Sequence, residues 1–317
     1  MKLSIVTTLY RSSADLFEFY TRATAVANQF AKDDYELILV NDGSPDNSLD
    51  IAIQLAKSDD HIIIIDLSRN FGHHKAMMTG LAHAMGDFIF LIDSDLEESP
   101  EWLLNFSAEL FKTNCDVIYG VQEERKGGVF ERLSGRWFYR LFKLLSGVTL
   151  PENVITARLM TRRYVNALIM HQEREVVIAG LWVITGFEQK AQSVSKRNVS
   201  KTTYTLRKKI SVLVNAITSF SNTPLIAIFH IGSAILFLSA TYILYLLINW
   251  ALFSKPADGW TSVMASIWFL GGLISSFIGV IGIYLSKIFS ETKNRPYTIV
   301  REIHNNRITK IHRDTPL

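Results

Sequence analysis

An open α/β domain on a mostly parallel, Rossmann-like sheet, followed by a two-helix membrane hairpin, is the fold class this sequence predicts. Three observations lead to it. Over the first half of the chain, short apolar runs of strand length alternate with stretches whose apolar residues recur at helical spacing. Several runs, such as Ile62-Ile63-Ile64-Ile65 and Phe88-Ile89-Phe90-Leu91-Ile92, are apolar on both faces, as strands covered by helices on each side must be. Finally, two uncharged segments, 224–253 and 259–286, lie in the last third. Each exceeds the roughly 20 apolar residues that span a bilayer as a helix.

The elements follow in order. Strands are expected at 3–9, 36–40, 61–67, 88–92 and 116–121, with helices between them at 14–31, 45–57, 74–85 and 100–112. Pro45 and Pro100 read as first helical residues, with Ser44 and Ser99 as their caps. The first apolar run is too short and too rich in β-formers for a signal peptide, and no small-residue cleavage site precedes Arg11. Further on, Phe130, Leu133, Trp137, Phe138, Leu141 and Leu145 recur at helical spacing with Arg132, Arg136, Arg140 and Lys143 interleaved. This predicts a basic amphipathic helix over 129–146, suited to the headgroup layer, and a second over 204–222 led by Arg207, Lys208 and Lys209. The domain plan is a cytoplasmic domain at 1–222, the hairpin at 223–288 and a tail at 289–317.

Lys and Arg flank both ends of the hairpin, so the positive-inside rule puts the domain and both termini in the cytoplasm. The single Cys115 excludes an intramolecular disulfide or a cysteine zinc cluster, in keeping with a reducing compartment. With 33 Lys plus Arg against 30 Asp plus Glu, the net charge of +3 argues against nucleic acid as a partner. Gly271, Gly272, Ser275, Ser276, Gly279 and Gly282 permit close helix packing, within the hairpin or between copies of a homo-oligomer. His230 is a lone ionisable residue in the first span.

Ligands of open α/β sheets bind at the carboxyl ends of the strands, and two polar clusters stand there. Asn41-Asp42-Gly43-Ser44 follows the second strand, where the same residue types also make an ordinary turn. Asp93-Ser94-Asp95-Leu96-Glu97-Glu98 follows the fourth. In an extended chain Asp93, Asp95 and Glu97 would point to one side, where hard oxygen ligands suit Mg²⁺ or Mn²⁺ bridging a diphosphate; a solvated acidic turn is the bland alternative. The adjacent His73 and His74 make no metal site by themselves and read first as ordinary helix-start residues, with a donor-phosphate contact as the second reading.

These two turns, together with Ser68-Arg69-Asn70-Phe71-Gly72 and Pro100-Glu101, resemble the motifs of family 2 glycosyltransferases of the GT-A fold. With the membrane hairpin, the resemblance is to the enzymes that load polyprenyl phosphates with sugars, and it spans about 3–296. It implies an inverting transfer from a nucleotide sugar to a polyprenyl (undecaprenyl) phosphate at the inner membrane of a bacterium. The same resemblance implies roles for individual residues. Thr8, Tyr10, Asp42, Lys75 and Asp93 would bind the donor, Asp93 and Asp95 would serve catalysis, and Asp95 with Glu97 would hold Mg²⁺ or Mn²⁺. Arg125, Arg136, Arg158, Arg197 and Lys201 would meet phosphate.

One departure bears on mechanism. The family's proposed general-base aspartate is Thr156 here, and a hydroxyl is no base at neutral pH. Three readings stay open: the acceptor phosphate, with a second pKa near 6, needs no base; Glu123, Glu124 or Glu152 supplies a carboxylate; or the chain is a weakened paralogue serving as an assembly subunit. A glycosyltransferase with another lipid acceptor is the alternative enzyme reading.

Overall fold

A computed structural model of the chain describes residues 1–122, 140, 142–145, 151, 153–173, 178–196, 214, 217–253 and 259–305. Strands β1 (Leu3–Leu9), β2 (Tyr35–Asn41), β3 (Ile62–Leu67) and β4 (Phe88–Leu91) alternate with helices α1 (Leu16–Ala31), α2 (Ser48–Ser58) and α3 (His73–His83), and α4 (Trp102–Thr113) follows β4. Next come β5 (Val117–Gln122), β6 (Val154–Thr161), α5 (Arg162–Leu168), α6 (Ile178–Ile184) and β7 (Gln189–Val194). The long helices α7 (Thr223–Phe253) and α8 (Trp260–Thr292) precede a last strand, β8 (Val300–His304).

The strands form one sheet in the order β7-β5-β6-β4-β1-β2-β3-β8. Its centre is parallel, with β1 between β2 and β4 and β3 beyond β2, and β7 is parallel to β5. Antiparallel pairs join β6 to β4 and β5, and β8 to β3. Every residue of β1 and β2 is buried, the outcome expected of apolar runs covered on both faces. Leu3, Ile5 and Leu9 pack with Leu16, Phe19, Leu103 and Phe106 on one face. On the other, α3 comes so close that a methyl at Gly80 would stand 2.5 Å from Val6 Cγ1.

Two helices start later than the sequence suggests. The helices expected at Pro45 and Pro100 begin at Ser48 and Trp102. Asp46 is the reason in the first case: its Oδ1 accepts hydrogen bonds from Ser44 Oγ (2.5 Å), Ser48 Oγ (2.6 Å) and the Ser48 N–H (3.2 Å), closing a turn ahead of the helix. Burial works against ionisation of Asp46, but these bonds and those from Ser13 hold its carboxyl well below the usual range. Ser99 likewise gives its hydroxyl to Glu101 rather than to a helix end.

Two compact units divide the chain. The first comprises Met1–Tyr139, Thr149–Thr205 and Arg295–Leu317, and the second Arg140–Val148 and Leu206–Asn294. Residues Val300–His304, which follow α8, are therefore no free tail, since β8 is a strand of the main sheet. Its five residues, Val-Arg-Glu-Ile-His, are too short and too charged to announce a strand in sequence.

Within the second unit, Phe142 meets Phe220 edge to face at 6.2 Å, and Ser221 Oγ caps α7 by accepting the Thr223 N–H at 3.0 Å. The α8 residue Tyr284 donates its hydroxyl to the Ser221 carbonyl at 2.6 Å. Among the described residues one helix, Ser266–Thr292, is long and apolar enough to cross a membrane, and Thr223–Ser239 is a shorter apolar helix. Of the two expected amphipathic helices, residues 140, 142–145, 214 and 217–220 are helical. The remainder lies outside the described residues, apart from Ser221 and Asn222.

Candidate active site

Because β1 to β4 are parallel, their last residues Leu9, Asn41, Leu67 and Leu91 reach the same edge of the sheet, and the polar turns that follow meet there. The second and third turns interlock through Asp42. Its two carboxylate oxygens accept the N–H groups of Phe71 (2.7 Å) and Gly72 (3.0 Å), while Asn70 Nδ2 donates to its carbonyl (3.1 Å). Burial raises the Asp42 pKa, with those two amides opposing. Asp42 thus braces the loop from Ser68 to Gly72 from a buried position.

Gly43 makes this interlocking feasible. It has φ +59°, and a Cβ there would lie 2.5 Å from the Asn70 nitrogen. Gly43→Ala is expected to lower stability by roughly 1–3 kcal/mol, read as a lower thermal midpoint together with weaker donor binding. An unchanged midpoint would mean that the two loops can separate freely.

The fourth turn is anchored by its middle residue. Ser94 is buried and donates to the Thr8 carbonyl at 2.9 Å and to Ser12 Oγ at 3.1 Å. The chain does not stay extended beyond it, because Leu96 is buried in the left-handed region at φ +57°. The apolar Leu96 side chain goes into the core, and the turn this forces breaks the simple alternation expected of Asp93, Asp95 and Glu97. Asp95 remains exposed and its Oδ1 accepts the Glu97 N–H at 3.0 Å. Glu97 turns to Lys196, with Oε2 3.0 Å from Nζ.

His73, read from sequence as an ordinary helix-start residue, belongs to the site. As the first residue of α3 it points its ring to the strand edge, with Nδ1 2.9 Å from Thr8 Oγ1 and Nε2 3.3 Å from Asp93 Oδ1. The signal available was its place at a helix start directly after a strand-end loop. Burial opposes ionisation of Asp93, yet His73, the Thr156 hydroxyl and the Lys196 charge hold its carboxyl below the usual range.

Thr156 stands in the middle of this cluster. Its N–H donates to Glu98 Oε1 at 3.0 Å, while its hydroxyl serves Asp93. Glu98 is fully buried. Burial and the Asp93 charge push its carboxyl up to about 8, against the pull of Lys196 3.7 Å away. Burial also raises Asp95, with the charges of Asp93 and Glu97 adding to it. Lys196 partly offsets this crowding of like charges, and its own pKa is raised because its acidic neighbours outweigh burial.

Arg158, expected to meet phosphate, does not reach solvent. It is 1% exposed, its guanidinium stacks on the Trp182 ring, and its nitrogens bond the carbonyls of Thr156 (3.3 Å) and Ile155 (3.4 Å). On β6 it lies opposite Ala157 and Leu159, which join the main core, so strand alternation sends it to the second covered face. Burial lowers its pKa to about 9. Tyr10 is exposed at the end of β1, and Lys75 lies partly exposed in the first turn of α3. Arg125, Arg136, Arg197, Lys201, Glu123, Glu124 and Glu152 lie outside the described residues.

Hard oxygen donors for a cation are present in Asp93, whose buried Oδ1 faces His73 Nε2 at 3.3 Å, and in the exposed Asp95. Among the described residues no three His, Cys, Asp or Glu side chains form a ready-made metal cluster.

An acidic turn at the edge of parallel strands, braced against two neighbouring loops, fits an enzyme of the glycosyltransferase class, and comparison with known proteins shows that class. The chain belongs to glycosyl transferase family 2, whose model matches residues 4–169, from β1 through α5. A protein of Mycobacterium tuberculosis (strain CDC 1551 / Oshkosh), named only as a glycosyltransferase, is 51% identical over 98% of this chain and 90% of its own length. The uncharacterized glycosyltransferase YkcC of Bacillus subtilis (strain 168) is 33% identical, covering 99% of this chain and 98% of its own. The SfII prophage-derived bactoprenol glucosyl transferase of Shigella flexneri is 31% identical over 96% of this chain and 99% of its own.

Proposed function

We propose that this glycosyltransferase moves a sugar, with inversion, from a nucleotide-sugar donor to the phosphate of a polyprenyl carrier, undecaprenyl phosphate, at the cytoplasmic leaflet of a bacterial membrane. The observation that carries the reading is the acidic strand-edge turn in a chain alignable almost end to end with a bactoprenol glucosyl transferase. A donor bound at that edge would rest on loops fixed by Asp42 and Ser94. His73, Thr8 and Thr156 would hold Asp93 in one orientation toward it.

A parity argument supports a two-span membrane topology. Strand β8 pairs with β3 in the same sheet that holds everything before the hairpin, so the chain crosses the bilayer an even number of times between β7 and β8. If α8 crosses, α7 must cross too. Its 31 residues make about 46 Å of helix, ample for a hydrocarbon core of about 30 Å. Parity and length together support the reading that both helices span.

Asp93 and Asp95 suit a divalent cation, because Mg²⁺ typically takes one or two protein carboxylates and completes its shell with water and substrate phosphate. Glu97, held by Lys196, is the weaker candidate ligand. When bound, Mg²⁺ or Mn²⁺ would neutralise charge on the departing nucleoside diphosphate. Nothing in the cluster needs to act as a base, because a phosphate monoester with a second pKa near 6 arrives largely ionised.

The test supplies the purified chain with undecaprenyl phosphate, Mg²⁺ and a panel of UDP-, dTDP- and GDP-sugars, and weighs the lipid by mass spectrometry. One donor is expected to add the mass of a single sugar, EDTA to abolish the product, and excess Mg²⁺ or Mn²⁺ to restore it. No mass shift with any donor would overturn the acceptor assignment, and EDTA-resistant transfer would overturn the metal assignment.

A further inference from the structure

We propose that Arg301, on the strand that returns from the membrane hairpin, is a positioning residue for the donor site. The inference rests on the donor-binding reading given above and extends it beyond residues 4–169, the family's matched region. A four-residue relay links β8 to the Asn41-Asp42-Gly43-Ser44 turn. Arg301 Nη1 lies 3.2 Å from Asp66 Oδ2, and its Nη2 donates to the Ser68 carbonyl at 2.7 Å. The other Asp66 oxygen accepts Asn41 Nδ2 at 2.7 Å, and Asn41 Oδ1 accepts the Ser44 N–H at 3.2 Å.

Each link constrains the next. Asn41 can offer its carbonyl oxygen to Ser44 because Asp66 takes its amide nitrogen, which fixes the sense of the amide. Asp66 is buried to 3% exposure, and Arg301 supplies the opposite charge from an exposed position. Removing that cation would leave a carboxylate in the protein interior with one neutral donor, an arrangement that favours rearrangement of whatever it holds. What it holds is the donor turn.

The same stretch of chain grips the third loop. The Ser68 N–H donates to the Ile299 carbonyl at 2.9 Å, and Thr298 Oγ1 meets Thr79 Oγ1 of α3 at 2.8 Å. The pairing of β3 with β8 shifts register between Asp66 and Leu67. That irregularity is where Arg301 reaches across to both Asp66 and Ser68. The loop that begins at Ser68 carries the Phe71 and Gly72 amides bound by Asp42, and it leads into His73. Both donor-side turns thus depend on a guanidinium contributed from beyond the membrane segments.

The experiment compares wild type with Arg301→Ala and Arg301→Lys in the full chain. Donor KM, acceptor KM and kcat are measured with the donor that wild type accepts, and UDP, dTDP and GDP binding is followed by calorimetry. Arg301→Ala is expected to raise donor KM and weaken nucleotide binding by about tenfold, leaving acceptor KM unchanged and kcat within about twofold. Arg301→Lys, which keeps the charge but lacks the planar fork whose two nitrogens meet Asp66 and Ser68 separately, should recover part of the loss. A role confined to stability would lower the thermal midpoint and the active fraction without moving donor KM, and that result would overturn the proposal. If wild type binds a nucleotide but glycosylates no undecaprenyl phosphate, the acceptor reading fails while nucleotide affinity still decides the role of Arg301. A wild type that binds none of the three nucleotides overturns both.

Discussion

Asp95→Asn is expected to reduce sugar transfer by on the order of 10²–10³-fold, the scale on which loss of one charge-stabilising group acts in a transition state, while leaving the fold intact. Asp95 is exposed, so no packing is lost, and an asparagine Oδ1 can still accept the Glu97 N–H. Partial loss of hydration around its carboxylate raises its pKa, and the charges of Asp93 and Glu97 add to that. A carboxyl whose native pKa exceeds its unfolded value destabilises the native state as pH rises through that pKa. Replacing the charge by an amide therefore relieves repulsion at neutral pH. The thermal midpoint should equal or exceed that of wild type while activity collapses, a separation typical of residues kept for function. Undiminished transfer would remove Asp95 from the reaction, and a joint fall of activity and midpoint would make its role structural.

The second large effect concerns Thr156. If the chain merely lacked a general base, Thr156→Asp would restore one and raise turnover. The structure leads to the opposite expectation. Thr156 gives its hydroxyl to Asp93 and its N–H to Glu98, whose carboxyl is already pushed up to about 8 by burial and by Asp93. An aspartate there removes a donor and adds a third carboxylate. Thr156→Asp should lose roughly 2–4 kcal/mol of stability and most of its transfer activity, whereas Thr156→Ser, which keeps the hydroxyl, should stay close to wild type. Adding Glu98→Gln to Thr156→Asp should recover part of the loss by removing one acid from the group. A tenfold gain in turnover for Thr156→Asp at an unchanged midpoint would sink the reading that the acceptor phosphate needs no base.

The legible parts of this molecule were those governed by apolar pattern. The strand 3–9 comes out as β1 without change, and the other central strands and helices shift by one to three residues at their ends. What stayed hidden depended on contacts between segments distant in sequence. Pro45 carries a sound helix-start signal, but Asp46 collects the neighbouring hydroxyls and delays the helix. The acidic turn was found, while its shape was not, because Leu96 follows its own burial into a left-handed conformation. His73 looked ordinary because its partners, Thr8 and Asp93, arrive from two other strands. The family resemblance implies a phosphate contact for Arg158, yet strand alternation carries it onto Trp182. Strand β8 offered neither length nor apolarity, and its register with β3 exists only once the chain has folded back.

That return has a consequence for biogenesis. Synthesis runs from β3 through the hairpin before β8 emerges, so for more than two hundred residues of elongation, from Leu67 to Val300, one margin of the nascent sheet stands open. Unpaired strand margins invite adhesion to other chains, and pairings distant in sequence form late. Here the closing strand becomes available only after both apolar helices have left the ribosome. Completion of the sheet thereby waits on the synthesis of both apolar helices, and until then the β3 margin is the part of the domain most open to adhesion.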